Sequence, residues 1–224
     1  MSIKNNLEII LNTLPEEVKL VAVSKTKPNS DILEAYNSGQ RIFGENKVQD
    51  LAAKQSQLPS DIKWHFIGHL QTNKVKYLAP FVNLIESVDS LKVLKEINKQ
   101  AEKYNRIINC LLQFHIASEE SKFGFDINEA EEILSSPGFK DLNNIRINGV
   151  MGMATFSDNK DLIHMEFKQL KLYFDILKKK YFSDNDDFCE ISMGMSDDYP
   201  IAVEEGSTIV RIGSSIFGAR QCAI

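Results

Sequence analysis

The chain is poor in several features that would assign it to a class at once. Its 224 residues include only three cysteines, Cys110, Cys189 and Cys222, and their spacing matches no metal site. An odd, sparse set reads as free thiols in a reducing compartment, which points to the cytoplasm. No apolar run approaches the roughly 20 residues of a membrane span. The N-terminal stretch MSIKNNLEIILNTLPEE lacks the basic start and long apolar core of a signal peptide. Positive charge is also in short supply. The formal net charge is −5 and the pI is about 5.5, whereas nucleic-acid binding needs clustered Lys and Arg. The one basic run, Lys178-Lys179-Lys180, ends an amphipathic helix and suits the negative end of its dipole. There is no low-complexity linker and no sequence repeat, so residues 1–224 read as a single domain. No Gly-x-Gly-x-x-Gly comes after the first strand, which counts against a dinucleotide fold.

What the chain does have is a repeating pattern: a short apolar run, a turn, then a helical stretch. An N-terminal helix over 2–18 carries Ile3, Leu7, Ile10 and Leu14 on one stripe and is expected to pack on the rest of the domain. The strand runs are Leu20–Lys25, Arg41–Gly44, Trp64–Gly68, Leu84–Ser87, Ile107–Phe114, Ile145–Met151, Phe188–Ser192 and Thr208–Gly213. Asp31 is expected to cap the helix that stops at Ser38-Gly39, and a helix is expected from about Asn46 to Gln57. Ile163, Phe167, Leu170, Phe174 and Leu177 recur at steps of three and four, the clearest helix in the chain. Eight strands alternating with helices predict parallel pairing. Their apolar character on both faces fits strands covered by helices. A closed (β/α)8 barrel of the TIM type is the leading fold, with an open doubly wound sheet as the alternative.

In such a barrel, function gathers at the C-terminal ends of the strands. Lys25 ends the first strand and shares side-chain parity with Val21 and Val23. Apolar walls around it would disfavour an ammonium and favour the neutral amine that attacks a carbonyl. The competing reading is a surface lysine, which also suits Lys27. The loops after strands seven and eight, where barrels often hold phosphate, read Ser192-Met193-Gly194-Met195-Ser196-Asp197-Asp198 and Arg211-Ile212-Gly213-Ser214-Ser215. They offer glycine for close backbone approach and hydroxyls for hydrogen bonds. Asp197 and Asp198 would repel a phosphate, so they are expected to serve the dipole or the cap of the next helix and point away. Arg211, if buried, needs either a carboxylate or a ligand acceptor. Asn46 is either a helix cap or a ligand donor. The histidines have no metal spacing, and hydrogen-bonded structural roles are expected for most of them. The Ser121-Lys122-Phe123-Gly124 loop reads as solvated.

Several segments together strongly resemble the pyridoxal 5′-phosphate (PLP) homeostasis protein family. They are Ala22–Pro28, Phe43–Asn46, Trp64–Gly68 with Leu70–Lys74, Gly194–Asp198 and Val210–Gly213, in matching order from about residue 20 to Arg220. The resemblance implies a barrel similar to the N-terminal domain of alanine racemase, with PLP held as a Schiff base on Lys25. It implies Arg211 at the pyridine nitrogen, Asn46 near the ring hydroxyl and Met153 on a ring face. Ser192, Met195, Ser196, Gly213 and Ser214 would surround the phosphate. Phe123 and Thr155-Phe156 depart from what typical members are expected to carry.

The resemblance implies a carrier that holds PLP without turnover and passes it to apo-enzymes. The alternative is a PLP-dependent amino-acid racemase. Racemases of the related fold use a tyrosine from an extra C-terminal domain, and this chain ends a few residues beyond the eighth strand. That length favours the carrier, and a barrel without the extra domain is expected to be a monomer. A Schiff-base aldolase is the remote third reading.

Overall fold

The structure is a computed structural model that describes residues 2–118 and 123–218. Eight strands form one closed barrel in chain order: β1 Lys19–Val23, β2 Ile42–Glu45, β3 Lys63–Phe66, β4 Leu84–Val88, β5 Ile108–Phe114, β6 Ile145–Gly152, β7 Glu190–Ser192 and β8 Ile209–Ile212. Every pairing is parallel, and β1 closes the ring by pairing with both β2 and β8, from Lys19 opposite Ile209 to Ala22 opposite Ile212. The helices are α1 Ile3–Leu11, α2 Asn29–Asn37, α3 Val48–Gln55, α4 Val75–Leu78, α5 Leu91–Lys103, α6 Ile127–Ser135, α7 Pro137–Lys140, α8 Lys160–Tyr181, α9 Tyr199–Glu204 and α10 Ser214–Phe217.

Alternation along the strands sorts the core into two clusters. Val21, Val23, Leu84, Leu111, Met151 and Ile209 fill the barrel. Ala22, Phe43, Trp64, Ile85, Cys110, Val150 and Ile212 face outward, under helix residues such as Leu51, Leu94, Phe167 and Leu170. One irregularity decides which side chains reach the barrel mouth. Cys110 pairs with Ile147 but Leu111 pairs with Gly149, so β6 carries a bulge at Asn148. Ile147 packs on the helix side and Met151 inside, although both have the same parity. The bulge requires glycine: Gly149 has φ +154°, and a Cβ there would lie 1.8 Å from the Glu190 carbonyl oxygen.

Several boundaries differ from the sequence expectation. The first helix stops at Leu11, because Asn12 caps it and the Thr13 hydroxyl turns back onto the Ile10 carbonyl oxygen at 2.7 Å. Asp31 does not cap α2. Pro28 occupies that position, and Asp31 lies in the first turn, where its charge meets the helix dipole. Helix α3 starts at Val48 with Lys47 as its cap residue, so Asn46 is not the cap. The single turns α7 and α10 are too short to leave a periodic signal in the sequence. Among the described residues no helix is long and apolar enough to cross a membrane.

Candidate functional site

The strands end around one cavity of about 560 Å³ at their C-terminal rim. Strand β1 stops at Val23 and leads into a turn in which the Lys27 N–H donates to the Ser24 carbonyl oxygen at 3.0 Å. Thr26 has φ +65°, a conformation that glycine usually supplies at this point of a turn. The turn sets half-buried Lys25 into the cavity wall.

The other walls come from the ends of further strands. Gly194 has φ +94°, with Ala202 and Tyr199 packed where a side chain would start, and this sharp bend delivers Met195 and Ser196 to the cavity. At Gly213 a Cβ would lie 3.0 Å from the Val23 carbonyl oxygen, so the start of α10 packs tightly against β1. The Gly213 N–H donates to Ser196 Oγ at 3.3 Å, which joins these two loops. Lys27 Nζ donates to the carbonyl oxygens of Phe217 and Gly218 at 2.8 and 3.1 Å, which ties the first loop to the last. Asn46 and Met153 complete the lining.

Beneath the cavity lies a buried charge network. Arg211 is 4% exposed, yet it lines the cavity floor. Its guanidinium donates to Ser192 Oγ at 2.5 Å and to the Gly152 carbonyl oxygen at 2.8 Å. Glu86, fully buried on β4, accepts from Ser192 Oγ at 2.5 Å, and its other oxygen lies 2.6 Å from His65 Nδ1. Burial pulls the Glu86 carboxyl upward. The His65 hydrogen bond and the His65 and Arg211 charges outweigh it, so its pKa lies below the ordinary value. Burial lowers the Arg211 pKa, opposed by the charges of Glu86 and Asp198.

The mouth is aromatic. His69 stacks on Phe123 with ring centroids 4.0 Å apart, and its Nδ1 lies 3.0 Å from Asp89 Oδ2. Phe156, 83% exposed, lines the same cavity. The whole arrangement offers a primary amine, two serine hydroxyls and a buried guanidinium to one small ligand. Amines add to carbonyl carbons, while hydroxyls and guanidinium groups hold anions and lone pairs.

The model of the alanine racemase N-terminal domain family matches residues 1–221. The pyridoxal phosphate homeostasis protein of Aquifex aeolicus is 39% identical over 204 residues, covering 91% of this chain and 87% of that protein. The Haemophilus influenzae protein of the same name is 38% identical over 235 residues, covering 99% and 97%. This chain belongs to the pyridoxal phosphate homeostasis protein family. Among solved structures, PipY of Synechococcus elongatus PCC7942 with PLP bound superposes with a TM-score of 0.87 at 34% identity, covering 97% of this chain and all of that one. Alanine racemase of Bartonella henselae, at 14% identity and TM-score 0.71, shares the fold over 58% of its length.

Within this family framework, the barrel places Lys25, Asn46, Met153, Met195, Ser196, Arg211, Gly213 and Ser214 around one cavity. Ser192 is not part of the lining. Its hydroxyl is fully buried between Glu86 and Arg211 and hydrogen-bonds both, beneath the cavity. The two aspartates also divide. Asp198 turns inward and accepts from the Met195 N–H at 2.5 Å, making no side-chain cap bond to α9, whereas Asp197 lines the cavity instead of pointing away from it. Residues 121 and 122 of the Ser-Lys-Phe-Gly loop lie outside the described residues. His65, His69 and His164 each pair with a carboxylate, as expected of structural histidines, but His69 also lines the cavity. Sequence reasoning missed Glu86. Its signal was a lone carboxylate inside the apolar run Leu84–Val88, which demands a buried partner.

Proposed function

We propose that the chain binds PLP through a Schiff base on Lys25, holds it without catalytic turnover, and passes it to apo-enzymes in the cytoplasm as a monomer. The observation that carries this reading is the placement of Lys25, Arg211 and the Ser196 and Ser214 side chains around one cavity. The donor set fits the cofactor: an amine for its aldehyde, hydroxyls and glycine backbone for its phosphate, and a guanidinium for its pyridine nitrogen. Asn46 would hold the ring hydroxyl, and Met153 and Met195 would cover ring and phosphate. The PLP bound to PipY and the names of the curated relatives support the same reading. Free thiols at Cys110 and Cys189 accord with a reducing compartment.

When bound, the cofactor supplies a reactive aldehyde kept as an imine. Arg211 hydrogen-bonds without giving up a proton, since a guanidinium stays charged at any physiological pH. An unprotonated ring nitrogen makes a weak electron sink, which suits storage better than carbanion chemistry. The test is borohydride reduction of the protein loaded with PLP, and then a peptide map. The reduced adduct is expected on Lys25 and absent from Lys25→Ala. An adduct on another lysine would overturn the assignment.

A further inference from the structure

The turn that carries Lys25 is fastened from outside the cavity. Ser24 immediately precedes the lysine and is fully buried. Its N–H donates to the Gly44 carbonyl oxygen at 3.0 Å, which fixes it to β2. Its carbonyl oxygen accepts twice, from the Lys27 N–H at 3.0 Å and from Lys54 Nζ at 2.9 Å. Its hydroxyl donates to Glu45 Oε1 at 2.6 Å, and Lys54 Nζ donates to that same oxygen at 2.6 Å. Glu45 Oε2 is buried and has no hydrogen-bond partner among the described residues, so the carboxylate is held through one atom. The side chains of Lys54 and Glu45 are 11% and 0% exposed.

This clamp joins three elements. Lys54 comes from α3, Glu45 from the end of β2, and Ser24 from the end of β1. Lys54 does not line the cavity, whereas both Lys25 and Asn46, the chain neighbours of Ser24 and Glu45, do. The clamped turn also needs holding. Thr26 comes directly after Lys25 at φ +65°, and a β-branched residue is unfavourable there. A Ser24 carbonyl fixed by two donors leaves little freedom in the peptide that leads into Lys25. The geometry points to Lys54 as a positioning residue for the Lys25 amine, acting through the Ser24 carbonyl and the Glu45 carboxylate. The inference rests on the Schiff-base reading of Lys25.

The test separates imine formation from binding in general. PLP and pyridoxine 5′-phosphate share ring and phosphate, but the second has an alcohol where PLP has its aldehyde. Lys54→Met leaves Glu45 as an unpaired buried charge and threatens the fold. The double variant Lys54→Met/Glu45→Gln removes both charges and is therefore measured beside it. In the folded double variant, PLP affinity and the rate of borohydride-trapped adduct formation are expected to fall about tenfold or more, while pyridoxine 5′-phosphate affinity stays within about threefold of wild type. Equal losses for both ligands, wild-type PLP binding, or failure of both variants to fold would each overturn the positioning role. If the wild-type adduct maps to a lysine other than Lys25, the Schiff-base reading fails as well, and the wild-type protein alone reveals that case.

Discussion

The Glu86 carboxylate and the Arg211 guanidinium approach to 3.9 Å, and the Ser192 hydroxyl stands between them, 2.5 Å from each. A fully buried carboxylate, a buried cation and a shared hydroxyl satisfy one another directly beneath the cavity. Removing one charge strands the other. Glu86→Gln is expected to cost about 3–5 kcal/mol of stability, while Ser192→Ala costs about 1–3 kcal/mol. Urea unfolding at neutral pH measures both. A Glu86→Gln cost no larger than that of Ser192→Ala would show that the pair is not coupled as described.

Glu86 also gives the acid limb of stability a sign. Its pKa in the folded state lies below the ordinary value of 4.5. Its contribution is therefore fully present above that value and is lost as pH falls through the lower, folded one. Asp198 has the opposite sign. Burial raises its pKa above 3.8, against the Met195 N–H hydrogen bond, so its charge opposes folding at neutral pH and that penalty disappears on acidification. Asp198→Asn keeps an acceptor for the Met195 N–H and is expected to be at least as stable as wild type at pH 7. Parallel melting curves at neutral and acidic pH check both signs. A large loss of stability in Asp198→Asn at pH 7 would refute the second.

Gly149→Ala should be among the most damaging single substitutions in the barrel. The new Cβ would meet the Glu190 carbonyl oxygen at 1.8 Å, in a backbone conformation that L-residues rarely adopt. A cost of about 3 kcal/mol or more is expected. Gly39→Ala is the control, with φ +100° but nothing within 4 Å, and should cost less. Equal midpoints in denaturant would show that the bulge is not what demands glycine.

The carrier reading predicts an absence of turnover. Incubation of the PLP-loaded protein with single L-amino acids, then chiral chromatography, is expected to yield no D-isomer at ordinary enzyme rates, of order 1 s⁻¹. Lys25-dependent racemisation at such a rate would return the protein to the racemase class, with His69 at the mouth as the candidate second acid/base.

Much of the barrel was legible because its signals are local. Val21 and Val23 alternate as the strand pleat requires, and both fall inside the barrel with Lys25 beyond them at the rim. The α8 stripe of Ile163, Phe167, Leu170, Phe174 and Leu177 is buried except at Phe174, which is half-buried against the same core. Asn46 stayed ambiguous because a side chain before a helix can cap it or leave it. The structure places Lys47 at the cap and Asn46 in the cavity wall. Ser192 and Ser196 could not be told apart for a related reason: a loop rich in serine and glycine looks uniform until the strand face is known.

The sequence by itself determined the strand–helix alternation, the parity of Lys25 and the family, since each is written in residue types and their spacing. Only the tertiary structure decided which polar groups meet. Glu86 and Arg211 are 125 positions apart, and nothing local to either names the other. Met151 has the parity of Ile147 and would share its helix-facing side, were it not for the bulge at Asn148, whose place depends on the pairing of β5 with β6. The Lys54 clamp likewise exists only once α3 folds back over β1 and β2. Burial turns such distant polar groups into obligatory partners, because unpaired charge in the interior is costly, and closure of the barrel selects the pairs.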